Sequence, residues 1–134
     1  MDAKVNYRIG SAATALAILF IVGTVWAHHG YAIVFDPSKK ATLTGTLTKV
    51  DWRNPHIELS LDAKNDRGQV ESWVIEGGPP NFFRNRNVGR SDFEKGIGQA
   101  VTVEALRARD GSRFASLLKL TFPDGTFVTS APGG

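Results

Sequence analysis

The sequence predicts a mainly β fold: a small OB-like Greek-key barrel of five to six strands with a short helical insert between strands 3 and 4. Three observations support this prediction. Apolar and polar residues alternate with period two in several segments of strand length. Turn-forming residues separate these segments, and Asp110-Gly111 is the strongest example. A stretch with helix-start signals follows the third strand, which is the element order of an OB barrel.

The first predicted strand lies within Thr42–Val50. Its alternation places Leu43, Gly45, Leu47 and Lys49 on one face and the threonines on the other. Because glycine within a strand often marks an irregularity, Gly45 predicts a bulge or a bend.

The later elements follow from the same signals. Pro55 ends the first strand, and a second strand starts at His56 with Ile57, Leu59 and Leu61 on one face. The remaining predicted elements are a turn over Lys64–Gly68, a strand over Val70–Glu76 with Trp73 in the core, helical turns within Asn81–Val88, a helix with a capping box of Ser91 and Glu94, and strands over Gln99–Leu106, Phe114–Phe122 and Thr126–Thr129.

Composition excludes several function classes. The 134 residues include 16 Lys or Arg and 13 Asp or Glu, so the net charge of +3 is too small for a dedicated nucleic-acid binder. The chain contains no cysteine, which excludes disulfides, Cys-ligated zinc, iron–sulfur clusters and thiol nucleophiles. No G-x-S-x-G or nucleotide-binding glycine motif is present, so we expect a binding protein rather than an enzyme.

The beginning of the chain predicts export. Lys4 and Arg8 precede the uncharged segment Ser11–Trp26, and Val25 and Ala27 form a V-x-A cleavage site. We therefore predict a helical signal peptide over 1–27, with a retained membrane anchor as the alternative, and a periplasmic or secreted protein. An N-terminal arm over 28–40, the barrel over 41–130 and a tail over 131–134 complete the predicted organisation.

Several short motifs occur together in one order. They are Ala27-His28-His29-Gly30, Leu43–Thr48, Asn54-Pro55-His56, Trp73–Pro80, Gly98–Val103 and Arg109-Asp110-Gly111. In this order they resemble a family of small exported bacterial proteins known as a domain of unknown function. The resemblance implies an extracytoplasmic, β-rich domain and supplies no activity.

The three histidines predict a copper site. Cleavage after Ala27 would give His28 a free α-amine beside its imidazole, and such nitrogen ligands suit Cu(II). His56 would complete the site if the N-terminal segment folds over the turn between strands 1 and 2, with His29 a less favoured ligand. Cleavage after Trp26 would instead place a histidine third from the amine, another Cu(II)-binding arrangement.

Two further interpretations accompany the copper prediction. In one, His28 and His29 form a polar start of the mature chain and His56 is a surface residue. The carboxylates of Asp36, Asp51 and Glu58, which are candidates to support metal ligands, are then simply solvated. In the other, the domain is a non-metal interaction module that binds a partner protein or an anionic oligomer on the barrel face. Its candidate contact residues are Arg84, Arg86, Arg107, Arg109, Arg113 and Trp52. Besides copper binding and the interaction module, an oxidative copper enzyme is the remaining functional hypothesis.

Overall fold

The computed structural model describes residues 30–130, and the predicted signal peptide, His28, His29 and the predicted tail lie outside the described residues. The described chain is mainly β, as predicted. Its elements are α1 (30–34), β1 (Phe35–Asp51), β2 (Glu58–Lys64), β3 (Val70–Glu76), α2 (Pro80–Arg84), α3 (Arg90–Glu94), β4 (Ala100–Ala108), β5 (Phe114–Thr121) and β6 (Phe127–Thr129). None of the described helices has the length and apolar character needed to cross a bilayer.

The first five strands form a closed ring of backbone hydrogen bonds. The sheet order is β3-β2-β1-β4-β5-β6 with antiparallel neighbours, and β3 also pairs with β5 in parallel, from Val74–Phe114 to Glu76–Ser116. This last pairing closes the ring, and β6 extends it beyond β5. The two helices of the predicted insert, α2 and α3, lie between β3 and β4 in the chain.

The core lies inside the ring and contains the apolar residues that the alternation predicts. Each strand contributes the side chains of one face, as expected for a sheet with one buried face. The buried residues of the strands include Leu47, Val50, Leu59, Leu61, Trp73, Ile75, Val101, Val103, Ala105, Leu117 and Leu120. The position of Trp73 confirms its prediction as a core residue.

The end of β1 differs from the predicted alternation. Its pairing register with β2 shifts between Leu47 and Lys49, so one extra residue enters β1 at this point. As a result Lys49 is exposed and Val50 is buried. The prediction that Lys49 shares a face with Leu47 was therefore wrong, because the bulge keeps the charged side chain in water and turns the next apolar residue inward.

The cap of α3 also differs from the sequence prediction. Ser91 was predicted to be the N-cap residue, but the N-cap is Gly89, two residues earlier, and the helix begins at Arg90. The Gly89 backbone N–H donates to the Asp92 carboxylate at 2.8 Å. The predicted box of Ser91 and Glu94 was wrong because Asp92, two residues before Glu94, satisfies this donor.

The short helix α1 covers the outer face of the ring and creates a second apolar layer. The Tyr31 and Phe35 rings lie 4.9 Å apart between centroids, and the Phe35 and Phe114 rings lie 5.0 Å apart. Leu106 and Ala108 of β4 are buried although they are not part of the inner core. Residues 31–35 therefore pack against β4 and β5.

Candidate functional site

A row of polar side chains crosses the outer face of β2, β3 and β5. Glu58 pairs with Glu76 across β2 and β3, and Glu76 pairs with Ser116 across β3 and β5. Residues paired in this way project from the same face, and adjacent strands lie about 4.8 Å apart. The row is on the outer face because the neighbouring residues Leu59, Ile75 and their partners are buried in the core.

His56 lies beside the middle of this row, in the loop before β2. Its loop is fixed by two backbone hydrogen bonds, from Ile57 N–H to the Gly78 carbonyl at 3.2 Å and from Gly77 N–H to the Ile57 carbonyl at 2.8 Å. The His56 Nδ1 atom lies 3.4 Å from Glu76 Oε1, and both side chains are partly exposed. The end of β3 thus holds a carboxylate against one nitrogen of the imidazole.

Tyr31 brings the N-terminal segment to the same row. Its hydroxyl donates to Ser116 Oγ at 2.7 Å. Burial raises the pKa of the Tyr31 phenol, the Ser116 hydrogen bond opposes this, and the negative charge of Glu76 raises it further. The start of the described chain therefore lies close enough to the His56–Glu76 pair for the charge of Glu76 to act on the Tyr31 phenol.

The environment of Glu76 is unusual for a surface carboxylate. Burial raises its pKa above the ordinary value, the neighbouring His56 lowers it, and Glu58 raises it by charge repulsion. A half-buried carboxylate with a perturbed pKa beside a histidine is a feature that binding and catalytic sites often share. It marks the His56–Glu76 pair as the candidate functional site, which we call the histidine site.

The carboxylates predicted to support a metal ligand lie elsewhere or have other partners. Arg53 binds Asp51 at 3.5 Å and Glu58 at 3.1 Å, so both carboxylates belong to a surface ion-pair network. Asp36 pairs with Arg109 at 3.5 Å. The residue that contacts His56, namely Glu76, was missed.

The sequence indicated the hairpin that carries Glu76 but not its exact register. Counting outward from the predicted turn over Lys64–Gly68 pairs Glu58 with Val74, whereas the observed register pairs Glu58 with Glu76. The observed pairing places Glu76 on the outer face, near the start of β2 where His56 lies. A shift of the turn centre by one residue was therefore enough to conceal Glu76.

The arginines predicted to bind a partner are distributed over two regions, and most contact groups of this chain. Near the β4–β5 turn, Arg107 lies over the Trp73 ring at 5.3 Å, Arg113 lies 3.4 Å from Glu71, and Arg109 contacts α1. On α2 and the residues that follow it, Arg84 is exposed. Arg86 lies 3.8 Å from the Phe82 ring centroid and donates to the Phe82 carbonyl.

Trp52 lies near α2 and α3, and not near the β4–β5 turn. Its ring lies 5.8 Å from the Phe83 ring and 5.6 Å from the Phe93 ring, so it packs against α2 and α3 at one end of the core. The structure does not bring Trp52 together with Arg107, Arg109 or Arg113, which surround the turn after β4. A single stacking platform formed by all six residues is therefore not present.

Residues 30–130 do not by themselves contain a full set of candidate metal ligands. This part of the chain holds no group of three or more His, Asp or Glu side chains arranged to bind a metal ion. His56 and Glu76 form a pair only. The other two predicted ligands, His28 and His29, lie outside the described residues.

Comparison with known proteins identifies the family. No match to the chain was found among curated proteins or among solved structures. The profile of a family of unknown function, DUF6152, matches residues 17–116. This match covers most of the chain and confirms the resemblance to a domain of unknown function. The protein therefore belongs to the DUF6152 family.

Proposed function

We propose that this protein is an exported, OB-like β-barrel domain that binds one Cu(II) ion through the α-amine and imidazole of a mature N-terminal His28 together with His56, with His29 a less favoured ligand. The closed ring β1-β2-β3-β5-β4 and the helices between β3 and β4 support the OB-like assignment. In OB barrels the β2–β3 face carries the ligand, and the histidine site lies on that face.

The observation that carries the proposal is the hydrogen bond from Tyr31 to Ser116. Tyr31 follows His29 by two residues, and this hydrogen bond attaches it to the row that contains Glu76. The carboxylate of Glu76 in turn contacts His56. Gly30 already belongs to α1, so only His28 and His29 lie between the predicted cleavage site and the described fold, and two residues of extended chain span about 7 Å. In this proposal that length, together with the imidazole itself, brings the His28 ligands to His56.

Glu76 gives His56 the orientation that a metal ligand needs. A carboxylate at Nδ1 favours the tautomer with its proton on that nitrogen and leaves Nε2 as the metal-binding atom. The amine, the His28 imidazole and the His56 imidazole then form a three-nitrogen set, which Cu(II) binds strongly. In this proposal Glu76 takes the supporting role predicted for Asp36, Asp51 or Glu58.

The first experiment measures the native intact mass of the protein exported from a bacterial host, before and after one equivalent of Cu(II). We expect the mass of residues 28–134 and the gain of one copper ion that survives a mild competing chelator. A retained leader, or a correctly cleaved chain that ignores copper, would contradict the proposal. The arginine-based interaction module would then be tested next, by a search for a protein or anionic partner.

Variants separate the histidine site from adventitious copper binding. We expect His56→Ala, alone and combined with His28→Ala, to abolish tight binding of one copper ion. Glu76→Gln should weaken Cu(II) binding by about 10–100-fold, the usual effect of removing a carboxylate behind a metal-binding histidine. Glu71→Gln is the matched control, because Glu71 lies on the same strand and pairs with Arg113 instead. Equal Cu(II) affinity of the Glu76 and Glu71 variants would exclude Glu76 from the site.

A further inference from the structure

A surface cavity of about 360 Å³ lies between the loop that follows α3 and the turn that joins β5 to β6. Sites for small molecules have volumes of roughly 300–1,000 Å³, so this cavity is large enough for a small ligand. It shares no residue with the histidine site. Its lining consists of Lys95, Gln99, Phe122, Pro123 and Asp124.

Backbone hydrogen bonds fix both walls of the cavity. The loop after α3 is joined to β1, because the Gly98 N–H donates to the Leu47 carbonyl at 2.7 Å and the Leu47 N–H donates to the Gln99 carbonyl at 3.1 Å. The opposite wall is closed by the Phe122 N–H, which donates to the Thr126 carbonyl at 2.9 Å. A site whose walls are held before a ligand binds loses less conformational entropy on binding.

The two walls carry opposite charges that a hydroxyl group separates. Lys95 Nζ lies 4.4 Å from the centroid of the Phe122 ring and donates to Thr126 Oγ1 at 3.3 Å. Asp124 Oδ1 accepts hydrogen bonds from the Thr126 N–H at 2.9 Å and from the Thr126 hydroxyl at 2.6 Å. Thr126 thus stands between the ammonium and the carboxylate, and each keeps hydrogen-bonding capacity for a ligand.

The carboxylate of Asp124 is ionised at neutral pH. The hydrogen bonds from Thr126 lower its pKa, and the positive charge of Lys95 lowers it further. A ligand with a single charge would be attracted by one wall of the cavity and repelled by the other. A ligand that carries both charges would be attracted by both walls.

We propose that this cavity binds a small zwitterion of the amino-acid class, with the ligand carboxylate on Lys95 and the ligand ammonium on Asp124. Gln99 is exposed at the rim, and its side-chain amide supplies both a donor and an acceptor. Phe122 and Pro123 supply the apolar surface for the ligand's carbon chain. This activity is separate from the proposed copper binding, and neither depends on the other.

Nuclear magnetic resonance tests the proposal with the full chain. The isotope-labelled protein is titrated with glycine and with β-alanine at millimolar concentration, and with acetate and methylammonium as singly charged controls. We expect the two amino acids to shift the amide signals of residues 95–99 and 122–126, and the two controls to shift them much less. The absence of these shifts, or equal shifts with acetate or methylammonium alone, would overturn the proposal.

Charge-removing variants should change which ligand is preferred. Asp124→Asn keeps an oxygen that accepts the Thr126 hydrogen bonds, and we expect it to weaken glycine binding by about two- to fivefold, the value of an exposed ion pair. It should also let acetate bind at least as tightly as glycine, and Lys95→Gln should do the same for methylammonium. A cavity that had merely lost its shape would bind none of these ligands better.

Asp110→Asn is the matched control. Asp110 begins a similar turn, in which its Oδ1 accepts a hydrogen bond from the Ser112 N–H, and it does not line the cavity. This variant should bind glycine as the unmodified protein does. Equal glycine affinity in Asp124→Asn and Asp110→Asn would exclude Asp124 from the site and overturn the proposal.

Discussion

Gly45 shows how the backbone of a neighbouring strand can require a glycine. It pairs with Ala63 of β2 on one side and with Val101 of β4 on the other, at the point where β1 begins to pair with both. A Cβ atom at this position would collide with the Asp62 carbonyl oxygen and approach the Ala63 Cα to 2.8 Å. Both neighbours are backbone atoms of a strand that is itself paired, so they cannot move away easily.

Gly45→Ala should therefore destabilise the protein. We expect a loss of about 1–3 kcal/mol in the free energy of unfolding, the range for overpacking a well-packed interior. Gly30→Ala is the control, since a Cβ there meets no atom within 4 Å. Urea unfolding of both variants measures the difference, and an unchanged midpoint for Gly45→Ala would contradict the close approach of β1 and β2.

The histidine site makes a prediction about pH. Because burial raises the pKa of Glu76, the folded state binds a proton here more tightly than the unfolded state does. Stability should then fall as the pH rises from the ordinary glutamate pKa of about 4.3 through the raised value. Glu76→Gln should remove this fall and give a melting temperature at pH 7.5 no lower than that of the unmodified protein.

Glu71→Gln should behave in the opposite way. The Asn65 hydrogen bond, helped by Arg113 and Arg107, lowers the pKa of Glu71, so its stabilising effect is present above the ordinary pKa and is lost as the pH falls. We therefore expect Glu71→Gln to lower the melting temperature at pH 7.5. Thermal melts of both variants between pH 4 and 7.5 provide the test, and the same sign of change in both would contradict these assignments.

The helical insert acts as a plug for one end of the ring. Phe83 of α2 and Phe93 of α3 are fully buried, and their rings pack edge to face at 5.1 Å. Trp52, directly after β1, contacts both rings. The insert is therefore part of the core, although its two helices are each only five residues long.

Removing one of these rings should cost far more than removing an exposed one. We expect Phe83→Ala to destabilise the protein by about 3–5 kcal/mol, as is typical of a buried phenylalanine. Phe127→Ala in β6 is the control, because this side chain is 58% exposed. Chemical unfolding of the two variants checks the prediction. Similar losses would mean that the insert does not close the core.

Across the whole molecule, the pairing of β3 with β5 converts a curved sheet into a ring. The Val74 N–H donates to the Arg113 carbonyl at 3.0 Å, and three residue pairs follow in parallel register. The same seam brings Glu76 beside Ser116 and so unites the histidine site with the segment that carries Tyr31. Ring closure and the candidate site therefore depend on the same contact.

Amide hydrogen exchange can test this closure directly. The Val74 amide should exchange only on global unfolding, since its hydrogen bond belongs to a continuous ring. The amide of Asp66, in the exposed β2–β3 turn, should exchange rapidly. Nuclear magnetic resonance exchange rates for these two positions decide the matter. Rapid exchange at Val74 would show that the ring opens between β3 and β5 without unfolding.

The sequence by itself determined the mainly β class, the bounds of β3, the inward faces of the strands and the place of the helical insert. Each of these follows from local alternation or from a turn signal, because a strand with one buried face must alternate. It also showed that His56 follows a turn. Local patterns did not reveal the bulge before Lys49 or the shift of the α3 cap to Gly89.

Only the tertiary structure decided which surface residues meet. The structure joins residues from different elements through the contact of His56 with Glu76, the hydrogen bond of Tyr31 with Ser116 and that of Arg109 with the Ala32 carbonyl. The last two contacts each span more than 70 positions of the chain. Outer-face residues leave no hydrophobic period that would indicate their partners. Their neighbours are fixed by strand order and by the β3–β5 seam, which depend on how the whole chain buries its core.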